Sequence, residues 1–275
     1  MRIVCFEHRG NLALAIRDGS KLRVVGRYDP VNINSAFADL SSARASGASD
    51  TLDIEEVTLL PPVQRPGKVI CIGLNYVDHA KEGGNPIPDY PAVFLRALTS
   101  IVGPSAPIVR PPCSDKLDFE AELAVVIGRS ASRVSERDAL KHVAGYTCFN
   151  DGSVRDYQRK STQWTMGKNF DASGALGPEV VTPDELPEGA RGLQVVSRLN
   201  GRTMQDGNTA DMIFSIPRLI EILSEVMTLE PGDVIATGTP AGVGYARKPP
   251  VFMRPGDVCE IDIEGIGTLR NPIGG

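Results

Sequence analysis

The alternation of apolar and polar residues predicts a chain built mainly from strands. Short apolar runs separated by Gly- and Asp-containing turns occupy residues 2–6, 12–16 and 22–25. This spacing is typical of strands joined as hairpins. A further run at residues 57–62 leads into a proline-containing junction, so we predict a small β-rich N-terminal unit over residues 1–64 and a larger unit over residues 65–275. Residues 30–50 are rich in Ser, Ala and Asn and show only weak helical character.

The larger unit continues with short apolar runs and one clear helix. Ser215 is a good N-cap and Pro217 suits a first helical turn, so a helix is predicted to run to about Met227. Its buried stripe is predicted to comprise Ile216, Leu219, Ile220 and Leu223. Strands are predicted at residues 258–263 and 268–273.

An acidic pair stands beside the most apolar strand of the chain. The run at residues 123–127, bounded by Gly128, predicts a strand buried on both faces. Glu120 and Glu122 are two residues apart, so on an extended strand both carboxylates project from the same side. Such a pair needs a compensating cation, and a divalent ion with oxygen ligands is suitable. Asp151 is a candidate third ligand, although a solvated acidic strand edge would show the same spacing.

A histidine and a glutamate follow the strand predicted at residues 68–73. His79 and Glu82 are three apart in a segment that can form a helix, so they would be neighbours on one face. A carboxylate in that position orients an imidazole and raises its basicity, whereas a surface pair would have the same spacing and little consequence. The loop at residues 83–91, rich in Gly and Pro, could be a lid or a passive connector.

Two further segments offer groups to an anion. Lys168 lies between Gly167 and Asn169, in what the sequence suggests is a constrained loop, and could reach an anionic substrate group. An exposed lysine is the alternative. The Gly-rich loop at residues 237–244 offers backbone N–H groups. It matches neither a P-loop nor a dinucleotide-binding fingerprint.

Composition favours small-molecule chemistry. The 275 residues carry a formal net charge of −5 with a pI near 5.4, which disfavours nucleic-acid and anionic-membrane partners. The five cysteines are scattered without a Cys-x-x-Cys pair, which favours reduced thiols in a reducing compartment. Charge appears early in the N-terminal residues, and no apolar run approaches the roughly 20 residues of a membrane span. We therefore predict a cytoplasmic protein.

From about Lys68 to Ile273 the chain resembles the fumarylacetoacetate hydrolase family. The segment from Gly73 to His79 is similar to the family's Gly-x-Asn-Tyr-x-x-His, and Glu82 falls where members with a His–Glu dyad carry the glutamate. Other matches are the metal-binding Glu-x-Glu at Glu120 and Glu122, the third carboxylate at Asp151, the lysine at Lys168 and the substrate loop at residues 237–244.

The resemblance implies a β-rich α+β fold with a β-roll or barrel-like core, peripheral helices and a homodimer. It implies Mg²⁺, or alternatively Mn²⁺ or Ca²⁺, held by Glu120, Glu122 and Asp151. The substrate would be a small 2-oxo acid. Residues implied in catalysis are His79, Glu82 and Lys168; those implied in substrate binding are Tyr76, Arg155, Gln158 and Thr239.

The predicted reaction is hydrolysis of a carbon–carbon bond in an acylpyruvate. His79, oriented by Glu82, would activate the attacking water, and Lys168 and the ion would stabilise the departing enolate. The alternatives are decarboxylation or isomerisation of 2-oxo or hydroxymuconate-type diacids, or sugar-acid dehydration, through a similar enolate. A non-catalytic, metal-stabilised binding protein is a more remote alternative. Arg96, where members often carry lysine, and residues 83–91 are candidates for setting specificity.

Overall fold

A computed structural model describes residues 1–27 and 50–275. Residues 30–49, the segment with weak predicted helical character, lie outside these ranges. The strands are β1 Arg2–His8, β2 Asn11–Asp18, β3 Lys21–Arg27, β4 Thr51–Asp53, β5 Thr58–Leu60, β6 Val69–Gly73, β7 Ala92–Leu95, β8 Ile101–Val102, β9 Ile108–Val109, β10 Leu117–Asp118, β11 Ala121–Ile127, β12 Val143–Asn150, β13 Ser153–Val154, β14 Gly174–Val181, β15 Gln194–Leu199, β16 Arg202–Asn208, β17 Val234–Ala236, β18 Val258–Ile263 and β19 Gly267–Gly274.

Helices are few and short in the described residues. The α-helices are α1 Val77–Glu82, α2 Arg155–Gln158, α3 Thr165–Lys168 and α4 Ile216–Val226. The 3-10 turns are Ile54–Glu56, Leu98–Ser100, Glu136–His142, Pro183–Glu185, Glu188–Ala190, Thr209–Asp211 and Gly244–Ala246.

The largest sheet is mixed and, over the described part of the chain, has two open ends. Its strand order is β4-β3-β2-β1-β14-β12-β11-β17-β6-β7, with β5 also paired to β1 and β8 to β14. A second sheet has the order β16-β15-β18-β19-β9, and β10 pairs with β13. The predicted β-rich α+β class is confirmed, with a core sheet that does not close on itself. The N-terminal hairpins join this sheet through β1 and β14, and the division at residue 64 stays a prediction.

Strand β11 separates two hydrophobic cores. All seven of its residues are buried, and Leu123, Val125 and Ile127 pack into one core while Ala124 and Val126 pack into the other. This arrangement confirms a strand buried on both faces, because alternate side chains face opposite sides.

Helix α4 covers the first of these cores. The Ser215 side chain accepts a hydrogen bond from the backbone N–H of Arg218, as expected of an N-cap. The predicted stripe of Ile216, Leu219, Ile220 and Leu223 is buried in that core.

Strand register brings three chain segments to one place. Ala121 of β11 pairs with Asn150 of β12, so Glu120 and Glu122 lie beside Asp151. Strand β17 pairs with β11 and, in parallel, with β6. The Gly-rich loop after β17 and the segment leading to α1 therefore emerge at the same end of the sheet as the acidic pair.

Candidate active site

A cavity of about 450 Å³ opens at this end of the sheet. It is lined by most of the side chains singled out in the sequence: His79, Glu120, Glu122, Asp151, Arg155, Gln158, Lys168 and Thr239. Arg159, Trp164 and Tyr245 also line it and were not among the predicted site residues. Arg159 could have been predicted, because it lies four residues after Arg155 and residues with this spacing share one side of a helical turn.

The acidic cluster is compact and buried. Glu120, Glu122 and Asp151 each offer a carboxylate oxygen, and these oxygens lie within 4.8 Å of one another. The three residues are at most 5% exposed. The strand therefore turns its carboxylates inward rather than toward solvent, and their role as metal ligands stays a prediction.

Lys168 partly neutralises this cluster. It is buried at the end of α3, and its Nζ lies 2.8 Å from Glu120 Oε2 and 2.6 Å from Asp151 Oδ2. Burial lowers the pKa of Lys168, but the attraction of the two carboxylates outweighs burial and raises the pKa above its ordinary value. The ammonium group is therefore charged and fixed at the cavity wall, not solvated at the surface.

Arg155 provides the second cation. Its Nε lies 2.8 Å from Asp118 Oδ2, its Nη2 lies 2.6 Å from Glu120 Oε1, and its Nη1 donates to Gln158 Oε1 over 2.9 Å. Burial raises the pKa of Glu120, but Lys168, Arg155 and His79 together outweigh it and lower the pKa to about 2. Glu120 is therefore ionised throughout the neutral range.

Arg96 lies behind the cluster and does not line the cavity. Its buried Nη1 is 2.5 Å from Asp151 Oδ1, and its Nη2 donates to Ser173 Oγ over 2.8 Å. The guanidinium thus fixes the orientation of Asp151. Any influence of Arg96 on substrate choice would act through that carboxylate.

The contacts of Glu122 differ from those of Glu120 and Asp151. Among the residues that the structure describes, no Lys, Arg or His nitrogen pairs with it, and its Oε2 accepts a hydrogen bond from Gly238 N over 3.0 Å. Burial, with the nearby charges of Asp151 and Glu120, holds the pKa of Glu122 well above its usual range. A divalent cation prefers hard oxygen ligands and would remove this excess of negative charge, so the donor set fits the predicted ion.

The Gly-rich loop binds the protein's own carboxylates. Gly242 N donates to Glu82 Oε1 and Oε2 over 3.1 and 3.0 Å, while Gly244 N and Tyr245 N donate to Asp118 over 2.8 and 2.9 Å. The backbone N–H groups therefore bind anions, as expected, but these anions are carboxylate side chains of the protein rather than a ligand. Gly242 has φ +105°, a conformation that favours glycine.

The predicted dyad is formed. His79 Nδ1 lies 2.8 Å from Glu82 Oε1. Because a carboxylate accepts hydrogen bonds, the neutral imidazole carries its proton on Nδ1 and leaves Nε2 as the basic nitrogen. His79 lines the cavity and Glu82 lies behind it, held by Gly242.

Thr239 and Tyr76, both predicted to contact substrate, differ in their surroundings. Thr239 lines the cavity but is hydrogen-bonded within the fold, whereas Tyr76 is buried outside the cavity lining. The Thr239 hydroxyl donates to Ala121 O over 2.9 Å and accepts from Gln205 Nε2 over 2.7 Å. The Tyr76 ring is 2% exposed and does not line the cavity. Its hydroxyl has no hydrogen-bond partner within residues 1–27 and 50–275.

In this fold a His–Glu dyad and a buried carboxylate cluster share one cavity. The chain belongs to the fumarylacetoacetate hydrolase family, since the family model described as "Fumarylacetoacetate (FAA) hydrolase C-terminal" matches residues 68–274. The resemblance inferred from the motifs is thereby confirmed.

The relatives include enzymes named for different reactions. Human "Oxaloacetate tautomerase FAHD2A, mitochondrial" is 46% identical over 274 residues, covering 96% of this chain and 87% of the human protein. The structure of 2-hydroxyhepta-2,4-diene-1,7-dioate isomerase from Mycobacterium marinum has a TM-score of 0.82 at 34% identity, covering 100% of this chain and 98% of its own. Fumarylacetoacetate hydrolase from Exiguobacterium antarcticum has a TM-score of 0.84 at 36% identity, with 100% and 99% coverage.

None of the helices in the described ranges is both long and apolar enough to cross a membrane. The human relative is named as mitochondrial. A cytoplasmic location for this chain stays a prediction.

Glu122 is expected to make the metal-free protein less stable as the pH rises. A carboxyl with a raised folded-state pKa contributes fully below its unfolded pKa of about 4.3, and this contribution is lost as the pH rises through the folded pKa. In the presence of a chelator, the free energy of unfolding of the wild type should therefore fall relative to that of Glu122→Gln as the pH rises above this unfolded value. Denaturant unfolding at a series of pH values measures the difference.

Glu225→Gln is the matched control, because Glu225 is exposed on α4. That variant should follow the wild type across the series. A difference between wild type and Glu122→Gln that does not change with pH would contradict the raised pKa of Glu122.

Proposed function

We propose that this chain is a divalent-metal-dependent tautomerase or isomerase that moves a proton at the enolisable carbon of a 2-oxo dicarboxylate. The observation that carries the proposal is the His79–Glu82 dyad in one cavity with Lys168 and the carboxylate cluster. The human relative and the Mycobacterium marinum structure bear the names of a tautomerase and an isomerase. They favour the isomerase alternative over the predicted acylpyruvate hydrolase.

The ion proposed for Glu120, Glu122 and Asp151 is Mg²⁺, and Mn²⁺ or Ca²⁺ would suit the same oxygen ligands. When bound, a divalent ion supplies Lewis-acid polarisation of a 2-oxo group. The protein's part is to hold the three carboxylates together, which the backbone N–H of Gly238 and the side chains of Lys168 and Arg96 do.

His79 moves the proton. Its Nε2 takes a proton from the carbon next to the 2-oxo group, and the bonding electrons of that C–H shift to form the enolate. Return of the proton to the oxygen gives the enol, and return to a carbon gives the keto form or a shifted isomer. Glu82 stabilises the imidazolium that exists between these transfers, because its carboxylate accepts a hydrogen bond from Nδ1–H.

Lys168 stabilises the negative charge that develops on the substrate oxygen. Two of its three N–H donors are used by Glu120 and Asp151, which leaves one for a ligand in the cavity. The ammonium is already fixed before substrate arrives, so little reorganisation is needed when charge develops. Arg155 and Gln158 form the adjoining wall and position the substrate.

Hydrolysis of an acylpyruvate is the second candidate. The specific observation in its favour is that His79 Nε2 could equally take a proton from water, since Nδ1 is held by Glu82. In that reaction water attacks the distal carbonyl, the carbon–carbon bond breaks, and the electrons of that bond form the enolate of the 2-oxo acid.

Parallel assays with added Mg²⁺ separate these candidates. We expect the protein to accelerate the keto–enol interconversion of oxaloacetate, followed by the enol absorbance against an enzyme-free control containing the same Mg²⁺. His79→Asn should lower this rate by about 100-fold or more, since general bases contribute about 10² to 10⁴. His142→Asn is the matched control, because His142 lies away from the cavity and should leave the rate unchanged.

The same preparation is tested for acylpyruvate cleavage and for release of carbon dioxide from oxaloacetate. Cleavage of the acylpyruvate without acceleration of the interconversion would contradict the tautomerase proposal and favour hydrolysis. Carbon dioxide release would favour decarboxylation, and Mg²⁺ binding without any turnover would favour a non-catalytic protein.

We also propose a homodimer that uses the edge of the large sheet at β7. Over the described residues β7 pairs only with β6, and its Val93 and Leu95 are 40% and 51% exposed on one face. Exposed apolar strand edges are typical association surfaces.

Light scattering at micromolar concentration is expected to give twice the chain mass, and Leu95→Glu should shift the protein toward monomer because it places a charge on that edge. Val226→Glu, which changes an exposed apolar residue of α4, is the control and should remain dimeric. A monomeric wild type would contradict the proposal.

A further inference from the structure

The cations that line the cavity differ in whether a carboxylate of the protein binds them. Arg155 and Lys168 are both paired with carboxylates. Arg159 also lines the cavity and is exposed. Within residues 1–27 and 50–275, no carboxylate pairs with its guanidinium. Its charge is therefore left for a ligand.

Tyr245 holds the Arg159 guanidinium in place. The Arg159 Cζ lies 4.6 Å from the centroid of the Tyr245 ring, and the Arg155 Cζ lies 4.5 Å from the same centroid. The backbone N–H of Tyr245 donates to Asp118 Oδ2 over 2.9 Å, so the residue carrying the ring is itself anchored. A guanidinium stacked on a ring keeps the N–H groups at its edge free for a carboxylate in its own plane.

Local chain geometry directs Arg159 to the same region as Arg155. The two residues are four apart, and Arg159 N donates to Arg155 O over 3.3 Å at the end of α2. Side chains with this spacing lie on one side of a helical turn. Arg159 therefore extends the wall that begins with Arg155 and Gln158.

The backbone N–H groups beside the cavity are already engaged by carboxylates of the protein. The N–H groups of Gly242, Gly244 and Tyr245 are donated to Glu82 and Asp118. Trp164 and Phe94, which pack edge to face over 5.6 Å, add ring surface to the lining.

We propose that Arg159 is the residue that selects dicarboxylates, by binding the carboxylate of the substrate that is distal to its 2-oxo group. This inference rests on the proposed function, in which the 2-oxo end of the substrate lies at Lys168 and the acidic cluster. It assigns the second carboxylate of that 2-oxo dicarboxylate to a named residue. Tyr245 is a positioning residue that acts through the Arg159 guanidinium.

Calorimetric titration with two non-reacting probes tests the inference in the presence of Mg²⁺. Malate and 2-hydroxybutanoate share one end, and malate carries a carboxylate where the other has a methyl group. We expect wild type to bind malate about tenfold or more tightly than 2-hydroxybutanoate, and Arg159→Gln to lose about 10- to 100-fold in malate affinity, as for a charged bidentate contact. The affinity of Arg159→Gln for 2-hydroxybutanoate should be unchanged.

Two further variants make the comparison specific. Arg159→Lys keeps the charge without the planar fork and should give an intermediate malate affinity. Lys160→Gln removes the same charge from the next residue, whose Nζ lies over the Tyr157 ring rather than in the cavity lining, and should bind both probes as wild type does. Thermal melting checks that each variant is folded.

Three results would each overturn the inference. Arg159→Gln could lose affinity equally for both probes, Arg159→Gln could keep its affinity for malate, or the wild type could show no preference for malate. Because binding is measured without turnover, the failure of the proposed function gives a different result. A protein that discriminates the probes through Arg159 but does not interconvert oxaloacetate would uphold this inference and reject the proposed reaction.

Discussion

The architecture of the site depends on how the negative charges of several buried carboxylates are balanced within one small region. Removing an ion from water costs several kcal/mol even after relaxation, and leaving one member of a buried ion pair without its partner costs about 3–5 kcal/mol. The chain meets this constraint with three buried cations, Arg96, Arg155 and Lys168, and with a loop of backbone N–H groups. The buried carboxylates are Asp118, Glu120, Glu122 and Asp151, and the loop also binds the more exposed Glu82.

The buried carboxylates differ in how many cations they contact. This difference leaves negative charge at one point of the site. Asp151 and Glu120 each bind two cations, whereas Glu122 has only a backbone N–H among its described contacts. The deficit lies where three carboxylate oxygens converge, which suits a divalent ion. The contacts of Lys168 with Glu120 and Asp151 and of His79 with Glu82 fix both side chains before substrate arrives, which suits the enolate chemistry proposed above.

Local patterns predicted those features that depend on residues close in sequence. The apolar run after Glu122 gave a strand buried on both faces, and the three-residue spacing of His79 and Glu82 gave a formed dyad. The burial of Lys168 and the pairing of Arg96 with Asp151 depend on contacts between segments far apart in the chain.

The Gly-rich loop shows the limit of such patterns most clearly. Its sequence indicates an anion-binding loop but cannot say that the anions are Glu82, Glu122 and Asp118. That outcome follows from the pairing of β17 with β11 and β6, which brings the loop onto the acidic strand. The contact of Arg159 with Tyr245 likewise depends on the fold, because the two residues are far apart in the chain.

We infer that the acidic cluster holds one divalent ion per chain and that Glu122 is one of its ligands. Calorimetric titration of Mg²⁺ into chelator-treated wild type and Glu122→Gln tests it most directly. We predict one site per chain in the wild type and a loss of affinity of about 100-fold or more in the variant. The absence of a stoichiometric site in the wild type, or equal affinity in both proteins, would contradict the account.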